Sequence, residues 1–402
     1  MLTAKTNKAN LLTDSNIFYN PQKKKEEWIF AFLIFVISTP VFIWDWEYFY
    51  KFSILFLFLL SLRQIHLSKS NNLLLSCLLW CFSCFCAFRM GSKVDLNAIG
   101  YLNIFISFFP FFFIDREFGE NIFNKYIIIF SITIIPSLIQ YVLVVFAGLE
   151  FPFKIIDPSP WNSHDQKYVS YTFFVYMQGV GSIIPRFYGI YDEPGVIGTI
   201  AMVLLYTQKY NLKKWYNIPI FLSGILSFSL FFYLSTIIYM ISLTNIKNRI
   251  LIIIIFGVIY FLTFNSQILN ELFFSRLKLV FDEGLGLSIR DNYLFEPFYN
   301  SLKTKDLLWG LWGNKEVVYA ATYKFLFVTV GIIPLSFYLI LLLLRTKEYF
   351  GISKEMLLYI LIPILVFSQR PFINNPFYTF LSIIPLYVMY INKKQNTKNI
   401  LV

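Results

Sequence analysis

Residues 126–148 read YIIIFSITIIPSLIQYVLVVFAG, twenty-three positions without one Asp, Glu, Lys or Arg. An α-helix needs about 20 predominantly apolar residues to cross the hydrocarbon of a bilayer. This stretch therefore predicts a membrane-spanning helix, and its surroundings decide whether it is a lone anchor or one span of many. The same composition recurs on both sides. The chain has 402 residues, of which 57% are hydrophobic, 20% aromatic and 14% charged, with a mean hydropathy of +0.62. Soluble domains carry roughly 25% charged residues. The deficit predicts an all-α, polytopic integral membrane protein, with residues 1–402 forming one transmembrane domain.

Further apolar blocks fall at 28–44, 49–62, 72–89, 98–114, 194–208, 216–230, 231–244, 249–264, 317–344, 356–368 and 376–391, which makes about twelve spans. The short blocks 49–62 and 356–368 are expected to extend into polar flanks. The first 27 residues are polar and basic, without an apolar core followed by a small-residue cleavage site. The first span is thus expected to act as its own insertion signal.

Cytoplasmic loops of membrane proteins are enriched in Lys and Arg. Lys23, Lys24 and Lys25 put the N-terminus inside, and strict alternation then places Arg63, Lys69, Lys209, Lys213, Lys214, Lys247, Arg249, Arg345, Lys347, Lys354, Lys393 and Lys394 inside as well. Both termini are expected in the cytoplasm. Residues 216–244 join two inside clusters, so they must cross as a tight pair of short helices split near 230. The 317–344 block runs from outside to inside and reads as one long tilted helix. Two long segments are left outside, 149–193 and 265–316, and loops of such length usually carry function.

The net charge of +11 does not point to nucleic acid, because the lysines sit at the ends of apolar blocks. Cys77, Cys81, Cys84 and Cys86 share one apolar block with no polar partners, which suits filler in a membrane helix better than metal ligation. His66 and His164 form no metal-binding pair. No metal and no cofactor are expected. The chain has no GxSxG elbow and no strand-preceded phosphate loop, and the glycines of EGLGLS (Glu283 to Ser288) lack that context.

Four arginines fall on the outer side, against the usual sorting of charge: Arg186, Arg276, Arg290 and Arg370. A guanidinium offers a planar fork that binds phosphate in a bidentate manner, so a phosphate or diphosphate ligand suits that face. Within the stretch PRFYGIYDEPGVIGTI (Pro185 to Ile200), Asp192 and Glu193 precede Pro194, which fits the first position of a helix. Two readings of the acids stay open: a helix cap, or a carboxylate that accepts a proton from a hydroxyl nucleophile.

With Arg186 to Pro194 reading RFYGIYDEP, and a later outer loop reading SIRDNYLFEPFYNSLKTKDLLWGLWGN, the chain resembles the Wzy-type O-antigen and surface-polysaccharide polymerases of bacterial inner membranes, and the related O-antigen ligases. The resemblance implies a GT-C-like membrane glycosyltransferase that needs neither a metal nor a nucleotide sugar. Such an enzyme joins oligosaccharide repeat units carried on undecaprenyl diphosphate, transferring the growing chain from its lipid diphosphate to an acceptor sugar hydroxyl. Carried over by position, Arg186 and Arg290 match loop arginines that engage the diphosphate, with Arg276 and Arg370 as further binding residues and Glu193 as the base. Asp192, Tyr188 and Tyr191 line the same motif, and Trp161, Tyr188, Tyr191, Trp309 and Trp312 are candidates for stacking on sugars. Membrane lipids and a chain-length regulator are the implied partners. The ligases carry a histidine near the helix after the second loop, where this chain reads NKEVVYAATYKF; that favours a polymerase. A ligase and a non-enzymatic flippase or transporter of lipid-linked oligosaccharide are the alternatives.

Overall fold

The computed structural model describes residues 21–64, 74–82, 106, 108–157, 167–177, 185–243, 295–311, 323–351, 354–370 and 375–400. These residues are mostly helical. In chain order they form α1 (Pro21–Ile37), α2 (Glu47–Leu62), α3 (Arg116–Val145), α4 (Pro194–Thr207), α5 (Asn217–Leu226), α6 (Leu230–Leu243), α7 (Phe295–Ser301), α8 (Thr304–Trp309), α9 (Tyr323–Thr329), α10 (Ile332–Phe350), α11 (Lys354–Gln369) and α12 (Pro376–Ile400). The 249–264 block lies outside the described residues.

All but the last three residues of the opening stretch lie within α3, whose start is capped by Asp115: the carboxylate accepts from the Phe118 amide at 3.2 Å. Among the described residues α3 is the one helix both long and apolar enough to cross a membrane; shorter apolar stretches lie in α2, α4, α5, α6 and α12. The centre of the bundle is α4. It is hydrophobic all round and all 14 of its residues are buried, as expected of a helix with no polar face. It packs against α5, α6, α11 and α12, while α3 packs against α1, α5 and α12.

Those of the expected inside clusters that are described meet at one end. The Glu27 carboxylate, at the start of α1, takes Asn121 Nδ2 at 2.9 Å and Lys125 Nζ, both from the first turns of α3. Glu26 receives Gln64 and Arg63 from the end of α2. Gln208, after α4, donates to Asn124 and receives Lys214. Arg345 and Glu348, at the end of α10, join Arg116 at the start of α3. Successive helices therefore run up and down between this basic end and an opposite end, which holds the last turns of α1 and α11 and the first of α4 and α12.

The described residues are consistent with the all-α class, and the 149–193 loop adds a small antiparallel sheet, ordered β1 (Lys154–Ile156), β2 (Tyr168–Ser170) and β3 (Val175–Met177). Tyr168 and Val175 of this sheet bury against Trp44 and Tyr188. The 216–244 block divides at Ser227–Ser229 rather than at 230, with Phe228 at φ 46. The 317–344 block is not one helix. It breaks between α9 and α10 at Gly331 (φ 87), where a Cβ would stand 2.3 Å from the Trp309 carbonyl carbon. The close backbone approach of Trp309–Gly310 leaves room for nothing larger there.

Candidate functional site

The turn entering α4 is set by Gly189, at φ 57, whose carbonyl accepts from the Val175 amide of β3 at 2.9 Å. Only a residue without a Cβ adopts that conformation cheaply. The chain then places Tyr191, Asp192 and Glu193 in succession against three helices.

Glu193 is the N-cap residue of α4, and its side chain makes no capping bond. It reaches instead to Arg370, at the end of α11, whose Nη1 donates to Glu193 Oε2 at 2.5 Å. The Arg370 side chain is only 3% exposed, so its charge depends on that partner. Its Nε has no hydrogen-bond partner among the described residues. Asp192 stands next to the pair. Burial and then the Glu193 charge raise its carboxyl, Arg370 pulls the other way, and the result is about 7. With two acids and one guanidinium, the cluster carries one more negative than positive charge when every group is ionised, and Asp192 is the group able to hold a proton near neutrality.

Hydroxyls surround these charges. The Tyr191 hydroxyl shares a 2.9 Å hydrogen bond with Ser38 at the end of α1. Tyr378 of α12 interacts electrostatically with Arg370, Asp192 and Glu193. The Tyr191 ring lies 6.4 Å from Phe130, which stands in the middle of the 30-residue α3. The Tyr191 ring thus lies beside the middle of α3, about 21 Å along it from Arg116.

Arg186 has a different setting. Its Nε donates to the Ser227 carbonyl at 3.0 Å and its Nη2 to the Phe228 carbonyl at 3.2 Å. These carbonyls close α5, so the guanidinium satisfies a helix C-terminus. The Phe187 amide donates to the Leu226 carbonyl beside it. Tyr188 is buried beneath the sheet and Tyr191 is fully buried, so neither ring offers a face to a sugar here. Trp309 is part-buried beside Gly331. Arg276, Arg290, Trp161 and Trp312 lie outside the described residues. Among the described residues no three His, Cys, Asp or Glu side chains gather as a metal set.

Sequence reasoning did not single out Ser38 or Tyr378, which no motif marks. Comparison of the chain with protein-family models, with curated proteins and with solved structures gives no match.

Proposed function

We propose that the chain is a multi-pass protein of a bacterial inner membrane, with about twelve spans, both termini cytoplasmic, and its basic end facing the cytoplasm. Within that frame we read it as a metal-independent polysaccharide polymerase. It joins repeat units carried on undecaprenyl diphosphate at a site opened to the outer face. The observation that carries this reading is the buried pairing of Glu193, in the acid–proline motif, with Arg370 from a distant helix, beside Asp192.

Transfer of a sugar from a diphosphate needs charge stabilised on the leaving group and a proton removed from the acceptor hydroxyl. Arg370 is pre-placed in a site of low polarity, where a guanidinium acts most strongly on a developing anion. Asp192, titrating near neutrality, is the proton acceptor of this scheme, in place of Glu193, which holds Arg370. Arg186 acts as a positioning residue by fixing the α5–α6 break. One specific observation favours the transporter alternative: Arg370 is buried among helices, and charged groups buried inside a membrane bundle are a mark of transport pathways.

Reconstitution into vesicles with a lipid-linked repeat unit tests the reading. A polymerase gives a ladder of products without any further acceptor, and Arg370→Ala removes it. Movement of the unit across the vesicle without a ladder establishes the transporter instead, and dependence on an added lipid A core establishes the ligase.

A further inference from the structure

The loop 149–193 is expected in water above the bilayer, but its sheet does not stand clear of the bundle. The turn between β2 and β3 is fastened to the flank of α3. The Phe173 amide donates to Gln140 Oε1 at 2.8 Å, and its carbonyl accepts from Ser137 Oγ at 2.5 Å. Tyr141 packs edge-on against Phe174, with centroids 5.8 Å apart. Residues 137–141 fall within the uncharged run of α3, so this turn sits at the height of apolar helix.

The side chains exposed at that height are apolar. Along α3 and just beyond it, Ile132, Ile139, Val142 and Phe146 are exposed, and the chain continues into exposed Leu149, Phe153 and Ile155, with Phe173 beside them. Ile132, Ile139 and Phe146 are spaced by seven residues and form one stripe of the helix. Phe153 and Ile155 flank exposed Lys154 at edge strand β1.

We propose that the β1 edge and the β2–β3 turn are seated in the headgroup–acyl boundary of the outer leaflet, continuing the lipid-facing stripe of α3. Three features suit that partner. Non-helical backbone placed level with hydrocarbon needs its polar groups satisfied from within the protein; Gln140 and Ser137, which interrupt the apolar run of α3, satisfy both groups of Phe173. Aromatic side chains favour the boundary. A lysine among them keeps its stem in apolar surroundings while its ammonium reaches phosphate. The seat would hold the motif turn through the Val175–Gly189 bond, at the level where a lipid-linked substrate enters.

This proposal rests on the membrane reading, and the test separates the two. A photoreactive benzoylphenylalanine is placed singly at Phe173, Ile155, Ile139 and Lys213, and the full chain is reconstituted in phosphatidylethanolamine–phosphatidylglycerol vesicles and irradiated. Lipid adducts are counted by mass spectrometry. The expected result is adducts at Phe173 and Ile155 comparable to those at Ile139, and none at Lys213. Adducts at Ile139 without any at Phe173 and Ile155 overturn the seat and leave the membrane reading intact. No adduct at Ile139 overturns both.

Discussion

Among the described residues, two arginine–carboxylate clusters, one partly exposed and one buried around Arg370, differ in sign. At the basic end, Arg116 and Arg345 share one acid: Glu348 accepts from Arg116 at 3.1 Å and from Arg345 at 2.6 Å. Arg116 lies over the Tyr349 and Tyr390 rings, at 4.2 and 5.1 Å, and Arg345 donates to the Tyr387 hydroxyl at 3.3 Å. Surplus positive charge is spread over aromatic faces. At the opposite end one arginine serves two acids, and the surplus is negative. A surplus of positive charge over rings makes a lock that ties α3, α10 and α12. A surplus of negative charge among hydroxyls leaves a place for a proton, which is what chemistry on a hydroxyl substrate requires.

The largest effect is expected from Arg370→Ala. Removing one member of a buried pair typically costs 3–5 kcal/mol; with the Glu193 side chain 26% exposed, the lower end, about 3 kcal/mol, is expected. Thermal unfolding in detergent checks this, and Glu193→Gln combined with Arg370→Met should recover much of the loss. A single Arg370→Ala variant as stable as wild type would break the comparison at its buried pole.

Arg345→Ala should cost less, about 1–2 kcal/mol, because Glu348 keeps Arg116 as a partner. The same unfolding assay orders the two. A smaller effect again is expected from Arg186→Ala, about 1 kcal/mol, for two carbonyls left without their donor. Arg186→Lys should fail to restore it, since a single ammonium does not reproduce the fork. Proteolysis of the α5–α6 break provides a readout confined to that place.

The most specific effect concerns Asp192. Its carboxyl is raised from 3.8 to about 7, so the stabilisation linked to it is fully present below about 4 and is lost as pH rises through 7. Reactivity runs the other way. Acceptance of a proton needs the ionised form, so turnover should rise with pH through 7 and then level off. Infrared spectra of protein labelled at aspartate should show one protonated carboxyl titrating near 7, missing in Asp192→Asn. A band unchanged by that substitution assigns the proton elsewhere.

Much of the helical organisation could be read from charge. Lys and Arg are sorted so consistently that Lys23–Lys25, Arg63, Lys214 and Arg345 mark ends of helices that meet in space. The local breaks could not. Gly331 interrupts an unbroken run of hydropathy, and its conformation is dictated by Gly310, twenty-one positions earlier in the chain. The strands of the first loop are three residues each, too short for any alternation to show. Pro194 marked the start of α4 correctly, while the role of Glu193 depended on a partner 177 residues away. Arg186 and Arg370 looked alike as outer arginines. One proved to satisfy a helix end and the other a half-buried acid, because what distinguishes them is the partner each meets in space.

The comparison of the two clusters meets function most directly in one assay. Wild type, Arg370→Ala and Arg345→Ala are reconstituted at equal amounts of folded protein and supplied with the same lipid-linked repeat unit. A ladder is expected from wild type and from Arg345→Ala, and none from Arg370→Ala. A ladder undiminished in Arg370→Ala would contradict that expectation.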